Sequence, residues 1–155
     1  MKKSHSILVF CLFVLAIVFF NFSSTSKEKN PANQNKTTES MDGINTNTGH
    51  PDLLAFSIVP GARVHGILSY RGVLKGGYFF EGNVKVFILD ANKNVLKSSN
   101  AISKTDWMTA GPVQFEGNID FTGLTPTAGY FRIANDNPSG DAENDKVIDT
   151  PIIIE

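Results

Sequence analysis

The chain has 155 residues and a single cysteine, Cys11, which stands inside an apolar N-terminal run. The rest of the protein therefore has no disulfide and no thiolate metal site, and any fold must be held by packing alone. Phe10 stands where a lipidation signal wants a small residue, so acylation of Cys11 is not expected. Charge of one sign is also missing: fourteen basic and fifteen acidic residues leave a formal net charge of -1. No nucleic-acid partner is expected on that ground, since the balance leaves no electrostatic footprint for a phosphate backbone. Histidine is scarce, with only His5, His50 and His65, and no cysteine or second histidine accompanies His65 as a nucleophile–base pair would require. No repeat of fixed period is present, and no segment of helical period appears after residue 50.

What the N-terminus does contain is Lys2 and Lys3 followed by an apolar run from Ile7 to Phe22. A basic end followed by about sixteen apolar residues addresses the membrane, being longer than a common signal-peptide core and shorter than a comfortable bilayer span. Ser24 and Ser26 offer a cleavage site, whereas Phe19, Phe20 and Phe22 crowd it and favour an uncleaved anchor. Residues 1–22 are read as a signal-anchor or signal peptide, with everything after Phe22 placed outside the cytoplasm by the positive-inside rule. Residues 23–49 are Ser, Thr, Asn, Lys and Glu with almost nothing apolar beyond Met41 and Ile44, and are expected to form a disordered polar tether. Flexible-chain statistics give such a tether a reach of roughly 30 Å.

From Leu53 onward the pattern changes to short apolar runs with period-2 alternation, separated by Gly, Pro, Asn and Asp. Residues 50–155 are therefore expected to form an all-β domain of about seven strands. The runs are Leu53 to Val59, Val64 to Leu74, Asn83 to Asp90, Val95 to Ile102, Val113 to Phe121, Tyr130 to Ala134, and Val147 to Ile154. Val84, Val86 and Ile88 alternate with Lys85, Phe87 and Leu89, so both faces of that run are partly apolar and a central strand is implied. Phe115, Ile119 and Phe121 mark a core face, and Phe87 and Ile119 are both read as strand interior. Asp90 to Asn94 should close a hairpin, and Pro60-Gly61 and Thr125-Pro126 two further turns. Pro151 cannot donate to a ladder, so its strand lies at an edge or turns that nitrogen outward.

Several clusters occur in a distinctive order: Pro60-Gly61, Gly72, Tyr78-Phe79-Phe80-Glu81-Gly82-Asn83, Leu89-Asp90, Asp106-Trp107-Met108-Thr109, Phe115-Glu116 and Asp136-Asn137-Pro138-Ser139-Gly140. Together they resemble the second of the GerM-associated domains, an immunoglobulin-like bacterial domain of sporulation, germination and other envelope proteins, over roughly Leu53 to Glu155. The resemblance implies an extracytoplasmic immunoglobulin-like β-sandwich that serves as an adhesion or interaction module, with no catalytic residues and no cofactor.

Strand counting sharpens this. In a seven-stranded sandwich successive reversals alternate between two poles, so the second, fourth and sixth connections share one end. The candidate binding residues Tyr78, Glu81, Asp106, Trp107, Asn135, Asp136 and Asn137 all lie in those connections, and loops on a rigid scaffold are where binding resides. Trp107 reads either as a surface anchor or as a plug of the core; Met108 is expected to be buried, and of the adjacent pair Phe79 and Phe80 at least one should face inward. The oxygen-rich stretch from Asp136 to Asp145 does not have calcium-loop spacing, because Pro138 occupies the third position and Val147 the twelfth. It reads as a turn braced by its own Asn and Asp side chains, and no metal ligand set is assigned. The expectation is thus a non-catalytic module of the bacterial cell envelope, bound to the membrane through its N-terminus and facing an envelope protein or cell-wall component. The alternative is a secreted inhibitor or chaperone-like sandwich that presents a loop or an edge strand to an enzyme or peptide.

Overall fold

A computed structural model describes residues 44–155. The expected membrane segment and the tether up to residue 43 lie outside the described residues, and among these no helix is long and apolar enough to cross a membrane. Eight strands follow in order: β1 (Leu53–Phe56), β2 (Ala62–Val64), β3 (Ile67–Lys75), β4 (Asn83–Asp90), β5 (Val95–Ser103), β6 (Pro112–Asp120), β7 (Thr127–Ala134) and β8 (Val147–Ile154). Helical geometry among the described residues is confined to two 3₁₀ turns, Gly76–Tyr78 and Ala142–Asn144.

The strands pair in the order β1-β3-β6-β5-β4-β7-β8-β2. Between β6 and β5 the ladder is only Ile102 opposite Glu116 and Ser103 opposite Phe115. There the sheet folds back on itself, because rings from strands far apart in the order touch. The Tyr70 ring of β3 packs edge-on to Phe131 of β7 at 4.8 Å, and Phe56 of β1 meets the same ring at 5.3 Å. The result is a sandwich of β1-β3-β6 on β5-β4-β7-β8-β2, with the inward residues of both layers as its core. Phe56, Leu74, Val84, Val86, Ile88, Phe115, Phe131, Ile133 and Ile152 are all buried there.

Strand β4 pairs on both sides, with β5 and β7, and so is central as its two apolar faces require. Val84, Val86 and Ile88 point into the core, while Phe87 is only half-buried on the outer face. The reading of Phe87 as strand interior is corrected: the residue is in the middle of the strand but not of the sandwich. Ile119 and Phe115 do face the core. The β4–β5 hairpin closes as expected. Asp90 Oδ1 accepts from the N–H groups of Asn92 and Asn94, both at 2.8 Å, and the left-handed residue is Lys93 at φ 66°.

The expected second strand, Val64 to Leu74, is two strands. Gly66, at φ 60°, breaks the run so that β2 pairs parallel with β8 while β3 crosses to the other layer and pairs with β1 and β6. His65 consequently lies exposed in the link and not within a strand. Pro151 is accommodated by geometry. Its carbonyl accepts from Gly61 N–H at 2.7 Å, so its nitrogen also faces the β2 side and the ladder to β7 loses no donor. Ordered pairing begins ahead of Leu53, because Asn45 and Phe56 exchange two backbone hydrogen bonds of 2.9 and 3.1 Å.

Candidate functional site

The connections β3–β4, β5–β6 and β7–β8 meet at one end of the sandwich, and the first of them touches both others. Gly76 N–H donates to Gly111 O at 2.9 Å, and a Cβ on Gly76 would fall 1.6 Å from Thr109 O, so no side chain fits there. Tyr78 O accepts from Asp136 N–H at 3.4 Å, which ties in the third connection. Phe80 and Asn83 exchange backbone hydrogen bonds across Glu81 and Gly82. Those two residues hold φ of 50° and 75°, the positive values that a type I′ turn requires. The Trp107 indole lies against this turn, within ordinary contact distance of where a Cβ on Gly82 would stand.

The seven candidate residues divide into supports and exposed groups. Tyr78 is buried, and its hydroxyl donates to Asp52 Oδ2 at 3.2 Å. Trp107 is partly buried and packs against the core, the plugging role that one of its two readings assigned it. Met108 contradicts the expectation of burial, standing 76% exposed because Asp106 Oδ1 accepts from its N–H at 3.0 Å and turns the side chain outward with the loop. Of the phenylalanine pair, Phe79 is buried and Phe80 exposed. Glu81 and Asp106 are exposed.

The β7–β8 connection is braced by its own amides. Asn135 donates to Asn144 O at 2.9 Å and accepts from Lys146 N–H at 2.7 Å. Asn137 donates to Asp141 O at 2.6 Å and to Asp145 Oδ1 at 2.9 Å, while its Oδ1 accepts from Ser139 N–H and Oγ. Asp136 pairs with Lys85 at 2.8 Å. These oxygens are occupied in shaping the loop, and among the described residues no group of three or more His, Cys, Asp or Glu is placed to hold a metal.

Sequence reasoning did not assign Asp52, Lys75 or Lys146 to the site. Asp52 precedes β1 and carries no motif; the register that sets Leu53 opposite Leu74 is what delivers it to the end of β3. Its carboxylate accepts from Lys75 Nζ at 2.6 Å as well as from Tyr78, and the Lys75 bond chiefly holds it below the usual carboxylate range. Burial, reinforced by the Asp52 charge, pushes the Tyr78 phenol up to about 12. On the other side of the ring, Lys146 Nζ lies 5.6 Å from the Tyr78 centroid. Asp52, Lys75, Tyr78, Thr109 and Lys146 line an open depression of about 410 Å³.

Two other depressions lie on the outer faces of the strands. One of about 480 Å³ on the outer face of β3 and β6 is walled by polar groups already bonded to one another, such as Ser69 with Asn118 at 2.6 Å. Another, of about 290 Å³, lies over Phe87 and Val147 on the outer face of β4, β7 and β8, and its charged and amide groups, Lys85, Arg132, Asn137 and Asp145, are bonded to acids or amides of the same face and loop.

No curated protein matches the chain. A family model does match, over residues 59–142, which takes in β2 to β7 and all three connections except the last residues of the β7–β8 loop. More than half of the sequence is covered, and β1 and β8 complete the same sandwich outside the matched span. The chain therefore belongs to the Gmad2 family, the immunoglobulin-like domain of bacterial spore germination.

Proposed function

We propose that this protein is a non-catalytic interaction module, held outside the cytoplasm by its N-terminal apolar segment, whose binding surface is the pole formed by the β3–β4, β5–β6 and β7–β8 connections. The observation that carries this reading is the locking of the three loops to one another through Gly76, Tyr78 and Asp136, with Met108, Phe80 and Glu81 left exposed on the locked frame. Rigid loops lose little entropy on binding, and exposed apolar side chains on them supply contact area to a partner. Membership of an immunoglobulin-like family supports a binding role over catalysis. The partner expected is an envelope protein or a cell-wall component.

A photo-crosslinking residue placed at Met108 or Phe80 in the full chain, expressed in a bacterial envelope, tests the surface. Discrete adducts at these positions and none from the same residue at Asn92, on the opposite pole, are expected; equal labelling at both poles would refute the assignment. Fractionation of the same cells tests the tether, since release of the chain into the medium would exclude a retained anchor.

A further inference from the structure

The depression beside Tyr78 holds an imbalance of charge that the fold does not use. Lys146 has no acidic partner among the described residues; its ammonium lies over the Tyr78 ring and beside Gly77, where a Cβ would come within 3.2 Å of it. An aromatic face attracts a cation without neutralising it. Lys75 spends one of its three donors on Asp52. Asp52 is the one carboxylate lining this depression, and both its oxygens are already taken, by Lys75 and by the Tyr78 hydroxyl. No other acid of the same pole lines it: Asp136 pairs with Lys85, and Asp145 accepts from Asn137 and faces the separate depression over Phe87. Thr109 Oγ1 accepts from Gly111 N–H at 3.0 Å, which leaves its own proton to donate. Lysine and threonine donors therefore converge on an open space whose carboxylate is already committed.

We infer that this depression is a subsite for a compact oxyanion, a carboxylate or phosphate group carried by the partner, with Lys146 as its principal ligand and Lys75 and Thr109 as secondary donors. The inference rests on the reading of this pole as the binding surface and names the chemistry recognised there. Charge-assisted hydrogen bonds from two ammonium groups favour such a group over a neutral one. A second cation would meet Lys146 and Lys75 and be repelled. The loop carrying Thr109 is tied to the end of β3, since Gly76 approaches Thr109 O too closely for any side chain and its N–H donates to Gly111 O.

The test is a titration of the isotope-labelled full chain in detergent micelles, followed by amide and lysine NMR signals at low salt. Three probes distinguish the sources: an N-acetylated dipeptide with a free C-terminal carboxylate, the same dipeptide amidated, and glycerol phosphate. Saturable shifts at Gly77, Thr109 and Lys146 with the carboxylate or with glycerol phosphate, and none with the amide, are expected; which anion binds more tightly assigns the source. Lys146→Met should weaken binding roughly tenfold, the loss of one charge-assisted contact, while Lys146→Arg retains it and Lys93→Met on the opposite pole changes nothing. No saturable shift at millimolar anion, or binding that Lys146→Met leaves unchanged in a chain with the native spectrum, would overturn the subsite. Crosslinking at Met108 in the absence of anion binding would overturn it while leaving the binding pole in place.

Discussion

Two tyrosines illustrate how different the same side chain becomes inside this sandwich. Tyr70 is buried among Phe56 and Phe131, and its hydroxyl is the one buried side-chain oxygen or nitrogen without a hydrogen-bond partner among the described residues. Burial raises its phenol to about 12. Gly117 is its cross-strand partner, and a Cβ there would lie 2.4 Å from the Tyr70 oxygen, so the glycine makes room for the ring's polar end. Tyr70→Phe removes a group that gains nothing in the fold, and stability in urea should be unchanged or higher by up to about 1 kcal/mol. Tyr78, at about the same elevated value, instead has a partner in Asp52. Both folded-state values lie above the ordinary phenol value of 10, so the stability tied to these neutral phenols is complete below that pH and is lost as pH rises through about 12. Alkaline unfolding curves should show that loss, and Tyr70→Phe with Tyr78→Phe together should flatten it. At the acidic end Asp149 is held low chiefly by Arg132, through hydrogen bonds of 2.6 and 2.8 Å, so its contribution is present above the unfolded carboxylate range and fades as pH falls below it.

At the scale of the element, β4 and β6 show what alternation can and cannot say. Val113, Phe115 and Ile119 of β6 stand at alternate positions toward the core, with Gly117 taking the third place in that series so that Tyr70 fits. On β4 the same alternation is apolar on both faces, and the sequence pattern alone does not say which face is inside. Ile119→Asp should unfold the domain or cost more than about 4 kcal/mol, because it leaves an unpaired charge in the core. Phe87→Asp should cost only about 1–2 kcal/mol, since the residue is half-buried on the outer face beside Lys85 and Arg132. Thermal melts of the two variants compare them directly; equal losses would mean that the outer face of β4 is covered. The break between β2 and β3 is likewise a matter of tertiary pairing: Gly66 permits it, but β8 and β6 are the partners that pull the two halves into different layers.

For the molecule as a whole, the contacts ahead of β1 bear on where the folded unit starts. Asn45 pairs with Phe56, and Thr48 Oγ1 donates to Leu53 O, so polar residues compositionally like a tether are held against β1. A chain beginning at Pro51, which keeps Asp52, should be less stable than one beginning at Ile44 by roughly 1–2 kcal/mol, the worth of those few hydrogen bonds. Urea titration of the two truncations, alongside limited proteolysis of the full chain, checks this. Cleavage between Asn45 and Leu53 as fast as in the preceding residues would contradict it.

The all-β character, most strand positions, the hairpin at Asp90 to Asn94 and the family could be read from sequence because each depends on neighbours along the chain. Period-2 alternation, turn residues and ordered motifs are local properties. Strand counting also foresaw that the connections around Tyr78, Trp107 and Asn137 would share a pole, since alternation of direction is imposed by antiparallel pairing. The roles within that pole were decided by tertiary structure. Tyr78, Asn135 and Asn137 are bonded inward as supports and Met108 is turned out, although their residue types suggested otherwise for Met108. Asp52, Lys75 and Lys146, separated by 23 to 94 positions in the chain, meet around one ring only because β1, β3 and β8 begin or end at the same height in the sandwich. Register and layer packing are long-range quantities, and no local pattern in a polar turn encodes which distant side chain will lie across from it.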